Sequence, residues 1–168
     1  MTIYCTVFRC ESLRNGTDLS YNDQQTAAKA ASLTTKVLSE YPQIQLTTSE
    51  FIVGKLLGGW SVRQGESASR GPDEIILFGK YTVLPGRRAD LNLVLLDGLA
   101  LIDKEEMGTR SILLIESEND GNVSYVMERF ADQAAVEAHG KGSGAAKVMS
   151  LFQELVTNRE GGFCTEIV

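Results

Sequence analysis

Apolar and polar residues alternate from Thr2 to Phe8, and Ile3, Tyr4, Val7 and Phe8 favour extended backbone, so the chain is expected to open with a β-strand. A polar turn through Asn15-Gly16 follows. Ser20 stands three residues before Asp23, the spacing of a capping box, and predicts an alanine-rich helix to about Tyr41, which Pro42 ends. Ile44 to Leu57 reads as a second strand, interrupted near Gly54. Periodicity then lapses. Gly58 to Pro72 is dominated by glycine, serine and charge, with Trp60 and Val62 as its bulky apolar residues, which is the composition of a linker.

The pattern resumes at Glu74. Alternation to Leu84 predicts a strand, and Pro85-Gly86 a turn. Leu91, Leu95, Leu99 and Ile102 recur at helical spacing within Arg87 to about Glu106, and Gly108 suits the position just past a helix end. Ser111 to Glu116 and Val123 to Phe130 read as strands joined through Asp120-Gly121, a strong hairpin signal. Asp132 can cap a helix from Gln133 to His139. The run Gly140 to Gly144 interrupts that helix, and Ala145 to Val156 continues it. Gly161-Gly162 then precedes a last strand, Phe163 to Val168.

The order β-α-β-β-α-β is that of a ferredoxin-like α+β module, an antiparallel sheet with helices on one face. The division expected is 1–57 as an N-terminal β-α-β part, 58–72 as a linker and 73–168 as the main domain. The first part is either an extension packing on the same sheet or a degenerate second module. Val123, Tyr125, Met127 and Arg129 alternate with Ser124, Val126, Glu128 and Phe130, which leaves apolar groups on both faces. One face meets the helices, and the other needs a cover.

Composition narrows the classes of partner. The chain has 168 residues, 43% hydrophobic and 23% charged, and can bury a core without staples. Its net charge of −6 argues against nucleic acid or an anionic membrane as partner. Residues 1–72 hold 7 Lys/Arg and 6 Asp/Glu, residues 73–168 hold 9 and 16, and neither part has a basic stripe. Cys5, Cys10 and Cys164 form no CxxC, and His139 is the single histidine, so no zinc set is legible. An odd number of spaced cysteines suggests reduced thiols. No secretory leader or membrane span is visible, and a soluble cytoplasmic protein is expected.

Three segments in order carry a family resemblance. They are Pro85-Gly86-Arg87-Arg88-Ala89-Asp90-Leu91, Glu106-Met107-Gly108-Thr109, and the run from Glu128 through Asp132 and Ala135 to His139. The stretch from Asp73 resembles the antibiotic biosynthesis monooxygenase family of the dimeric α+β barrels. That family shows a strand ending in Pro-Gly, a helix ending in Glu-Pro-Gly, and a Glu-(Arg/Val)-(Tyr/Phe)-x-Asp-x-x-Ala-x-x-x-His stretch. This chain departs from it at Met107, where the family has proline. It departs again at Gly144 and Ala145, where members often carry a second histidine followed by phenylalanine.

The resemblance implies two sheets packed face to face, within a homodimer or between two modules of one chain. It implies a cofactor-free oxygenase, with no metal or flavin and with molecular oxygen as co-substrate. Such an enzyme deprotonates a phenolic or anthrone-type aromatic or polyketide-like small molecule, whose carbanion reduces oxygen on the way to a quinone. The same enolate would serve a decarboxylase, cyclase or isomerase. The departures also permit a non-catalytic dimeric ligand-binding module.

His139, the one side chain whose ordinary pKa lies near neutrality, is the candidate base, or else a helix-end residue satisfied by backbone. Tyr81, Tyr125 and Arg129 are expected to project toward the open sheet face. There the tyrosines could hydrogen-bond a phenolate and Arg129 could stabilise an enolate or superoxide. Their alternatives are ordinary packing and an ion pair with a carboxylate such as Glu116. Trp60 either lids a pocket or caps a hydrophobic edge. Asn92 either binds substrate or lies exposed. The Gly140-Lys141-Gly142-Ser143-Gly144 run lacks phosphate-loop spacing and is read as a helix break. No GxSxG, HExxH or GxGxxG occurs.

Overall fold

The computed structural model describes residues 2–10, 18–21, 46–60, 63 and 73–165. Strands β1 (Thr2–Cys10), β2 (Asp18–Tyr21) and β3 (Leu46–Trp60) come first. They are followed by β4 (Ile75–Val83), helix α1 (Arg88–Glu105), β5 (Thr109–Ser117) and β6 (Val123–Phe130). Helices α2 (Gln133–Lys141) and α3 (Ser143–Leu155) lead into β7 (Val156–Thr165). The strands form one antiparallel sheet in the order β2-β1-β3-β5-β6-β4-β7. Its last four strands, with the helices, have the expected ferredoxin-like arrangement.

Local chemistry explains the elements that matter for the site. The Asp132 carboxylate accepts the backbone N–H of Ala135 at 2.8 Å and starts α2. Gly142, extended at φ −71° and ψ 161°, divides α2 from α3. Leu91, Leu95 and Ile102 form the buried stripe of α1, and they meet Ile112, Leu114, Val126, Phe152 and Leu155 in the main core. Helices α1 and α3 approach closely because each presents a glycine. A Cβ on Gly98 would lie 2.7 Å from Val148 Cγ2, and one on Gly144 would lie 2.6 Å from Ile102 Cγ1. Gly144 is therefore a helix-packing position rather than part of a loop.

Several expectations change. Ser20 lies in β2, paired opposite Cys5, and so does not cap a helix. The helix expected to run to Tyr41 and the Asn15-Gly16 turn lie outside the described residues. β3 passes through Gly54 and continues to Trp60, with a register shift between Leu56 and Gly58. The division after residue 57 thus falls inside a strand. β7 begins at Val156, well before Phe163, because pairing with β4 holds Asn158 to Gly162 in the ladder despite poor strand propensity. Gly161 has φ 128° opposite Gly79, a conformation that side-chain-bearing residues rarely adopt.

The sheet face turned away from the helices is also buried. Phe78, Leu113, Ile115, Val123 and Tyr125 cluster there, flanked by Leu56 and Met127. Among the described residues, no helix is long and apolar enough to cross a membrane.

Arg63 closes the end of α1. Its guanidinium donates to the backbone carbonyls of Asp103 (2.6 Å), Glu106 (3.1 Å) and Thr109 (3.3 Å), and it lies 4.7 Å from the centre of the Trp60 ring. Carbonyls at a helix C-terminus have no partner within the helix and carry the negative end of its dipole, so a buried cation is well placed there. The Arg63–Asp103 ion pair at 3.2 Å adds little, since the Asp103 side chain is 64% exposed.

Candidate active site

A cavity of about 270 Å³ lies between the helix-bearing face of the sheet and the three helices. Leu95, Ile102, Ile112, Leu114, Val126, Val148 and Phe152 supply an apolar wall. The small residues Gly140 and Ala145 on α2 and α3 also line it, and Gly144 lets α3 pack close to α1 beside it. Its polar groups are few: Tyr81, Glu128, His139 and Arg159. This is the composition of a small-molecule site, apolar over most of its surface with a few converging polar atoms.

Those polar atoms form a connected set. His139 Nδ1 lies 2.7 Å from Glu106 Oε2, and His139 Nε2 lies 3.7 Å from Glu128 Oε2. In the tautomer whose Nδ1–H donates to Glu106, Nε2 is left as an acceptor facing Glu128 and the cavity. At 3.7 Å, Nε2 and Glu128 are too far apart to be hydrogen-bonded to each other, so a substrate hydroxyl has room to engage both. Thr109 Oγ1 donates to the same Glu106 oxygen at 3.3 Å. The other Glu106 oxygen is buried without a hydrogen-bond partner among the described residues. The Phe130 ring, fully buried, backs the imidazole at 5.1 Å between centroids.

Burial pushes the Glu128 carboxyl above the usual carboxylate range, and Glu106 adds to that push, while His139 and Arg159 oppose it. Burial likewise raises the Tyr81 phenol, helped by Glu128 and opposed by Arg159, so Tyr81 remains a hydrogen-bond donor. The Tyr81 ring meets Phe152 edge-on at 4.9 Å and lies over Gly79, where a Cβ would come within 2.5 Å of the hydroxyl. Glycine at position 79 thus lets the tyrosine lie along its own strand toward Glu128.

The raised Glu128 has a consequence for stability. Glu128 binds its proton more tightly folded than unfolded. Between the ordinary carboxylate range and its raised value, the folded state holds the extra proton, and stability falls as pH rises. Glu128→Gln is expected to remove that fall and raise Tm at neutral pH by a few degrees, about 1 kcal/mol at this size. Calorimetry across that pH range would check it, and an unchanged pH slope would count against the buried-acid account.

The sequence candidates divide by sheet face. His139 and Tyr81 meet in the cavity. Tyr81 faces the helices rather than the expected open side. Tyr125 and Arg129 are on the far face. Tyr125 stacks near Phe78 at 6.0 Å, and Arg129 pairs with Glu74 at 3.0 Å rather than with Glu116. Trp60 packs against the main core beneath Arg63 and is not part of the cavity wall. Asn92 is buried, not exposed, donating to Glu116 Oε1 and accepting from Ser124 Oγ at 3.0 Å. Glu106, Glu128 and Arg159 escaped the sequence reading as site residues. A signal existed for Glu128, which shares its alternation with the helix-facing Val126 and Phe130.

Among the described residues, no group of three or more His, Cys, Asp or Glu is arranged to hold a metal. Residues 74–151 match the family described as antibiotic biosynthesis monooxygenase. No curated protein matches the sequence. Among solved structures, a protein of Lactobacillus acidophilus provisionally named a monooxygenase is similar in fold, with TM-score 0.66 at 12% identity, over 98% of this chain and 76% of its own. A Fusobacterium nucleatum protein of the same provisional name has TM-score 0.64 at 13% identity, over 96% and 73%. A Bacteroides thetaiotaomicron protein provisionally named an antibiotic biosynthesis monooxygenase has TM-score 0.53 at 18% identity, over 57% and 91%. At these identities the likeness concerns the fold.

Proposed function

From the match of residues 74–151 to the antibiotic biosynthesis monooxygenase family, we propose that the chain is a cofactor-independent oxygenase of a phenolic or anthrone-type aromatic. The observation that supports this most is the Glu106–His139–Glu128 chain set into an otherwise apolar cavity. A cavity of about 270 Å³ is just under the roughly 300 Å³ at which ordinary ligand pockets begin. It suits a compact fused-ring substrate better than an extended polyketide.

In the proposed reaction, His139 Nε2 takes the acidic proton of the substrate while Glu106 stabilises the imidazolium that forms. A protonated Glu128 and the Tyr81 hydroxyl donate hydrogen bonds to the enolate oxygen, where negative charge develops. The carbanion passes its electron pair to molecular oxygen, forming a carbon–oxygen bond and a hydroperoxide. The second carbon-bound proton and the distal hydroxide then leave together as one water, which forms the quinone carbonyl. The balance closes without an added reductant: a CH2 group and O2 become C=O and H2O.

A donor and an acceptor at one end of an apolar pocket also fit enolate chemistry without oxygen, as in a decarboxylase or isomerase. Oxygen uptake and product mass distinguish these readings. Metal-stripped, flavin-free protein would be mixed with anthrones, naphthols and their carboxylated forms. Uptake with replacement of two hydrogens by one oxygen is the expected result. Substrate loss without uptake, at constant mass or with release of carbon dioxide, would move the chain to the isomerases or lyases. No turnover across the panel would favour a binding module.

A further inference from the structure

Arg159 is the one Lys or Arg in the cavity wall. It sits on β7 directly opposite Tyr81 of β4, on the helix-bearing face of the sheet, and is itself exposed. Met149, 46% exposed, also lines the cavity, so the two residues stand where the cavity meets solvent. No carboxylate among the described residues pairs with the Arg159 guanidinium. The remaining polar atoms of the wall are the Tyr81 hydroxyl, the Glu128 carboxyl and the His139 ring. An arginine on an edge strand can simply discourage sheet-to-sheet pairing, but that role is indifferent to the face it occupies. Arg159 is turned to the cavity.

A neutral aromatic ligand would have no use for a guanidinium at the mouth. A ligand carrying a carboxylate would, because the surroundings otherwise oppose it: the chain has net charge −6, and Glu106 and Glu128 lie at the inner end. Guanidinium and carboxylate match as two parallel charge-assisted hydrogen bonds, which orient as well as attract.

We propose that the substrate is an aromatic hydroxy acid, whose carboxylate docks on Arg159 at the mouth while its ring fills the apolar cavity toward His139. This inference rests on the proposed function for the location of the site, and it adds the charge and orientation of the substrate. With the carboxylate held at Arg159, the phenolic edge is directed inward to Nε2 of His139. The weak point of a carboxylate near Glu128 is removed when that acid is protonated.

Calorimetric titration of the full chain with naphthol and with the matching hydroxynaphthoate tests the proposal by binding alone. The hydroxynaphthoate is expected to bind about tenfold more tightly at low salt, with the advantage shrinking as salt rises. Arg159→Gln is expected to abolish the preference, Arg159→Lys to restore part of it, and Arg159→Glu to reverse it. Tm is measured on each variant, and Arg159→Lys decides the matter if Arg159→Gln is unstable. Equal binding of the two ligands, no binding of the hydroxynaphthoate, or a preference that survives in Arg159→Gln would overturn it. Oxygen uptake separates the two ideas. Arg159-dependent binding without uptake keeps the anion subsite and removes the oxygenase reading. Uptake with the hydroxynaphthoate that is indifferent to Arg159→Gln does the opposite.

Discussion

Replacing His139 with alanine is expected to lower turnover by about 10²–10⁴-fold, the usual contribution of a positioned general base. The effect should fall mainly on kcat, because the apolar wall that binds the ring is untouched. His139 lines the cavity with its side chain 17% exposed, and its removal takes one hydrogen bond from Glu106 without opening the core. The fold should therefore survive, and circular dichroism would verify that. Oxygen-electrode measurements of kcat and KM on wild type and His139→Ala then give the decisive reading. A variant with wild-type turnover would remove His139 from the mechanism and leave Glu128 as the base to test.

Arg63→Ala is expected to destabilise the chain by about 3 kcal/mol, because a buried charged donor leaves several carbonyls behind. That corresponds to a fall in Tm of roughly 6–12 °C for a chain of this size. The carbonyls of Asp103, Glu106 and Thr109 lose their shared donor, and Trp60 loses the cation over its ring. Arg63→Lys should recover little of the loss, since an ammonium group cannot reach carbonyls on three residues in the plane of a guanidinium. The same change bears on the site, because Arg63 holds the backbone of Glu106, whose carboxylate orients His139. Thermal unfolding followed by circular dichroism measures the first effect. A drop of less than about 1 kcal/mol would show that water replaces the guanidinium without cost.

The role of Arg63 illustrates a kind of information that local pattern does not carry. It stands in a stretch of low apolar content that reads as linker, and 40 residues separate it from Asp103. Its function depends on where β3 delivers the chain, and β3 runs to Trp60 only because it pairs with β5. β7 is similar. Gly161 and Gly162 look like a strand boundary, yet the ladder with β4 carries the strand through both. In each case, long-range hydrogen bonds outweigh local propensity.

The candidate site was legible in part, and face assignment set the limit. Alternation correctly divides Tyr125 and Arg129 from Val126 and Glu128. It does not say which set faces a cavity. Both faces are apolar, so alternation points equally well to the side without helices. The cavity lies on the other side, between α2, α3 and the sheet. Tyr81 and His139 entered it, while Tyr125 and Arg129 went to the far face with Phe78 and Glu74.

By itself, the sequence determined the type and order of the elements from β4 to α3, the Asp132 cap and the hairpin at Asp120-Gly121. These rest on periodicity, capping and turn chemistry within a few residues of one another. Only the tertiary structure decided the joining of β1 to β3 with the rest in one sheet, the burial of both sheet faces, and the meeting of Glu106, His139, Glu128 and Arg159. Those residues belong to the end of α1, α2, β6 and β7. A cavity is the volume left over by packing among such elements, and no local pattern in the chain encodes it.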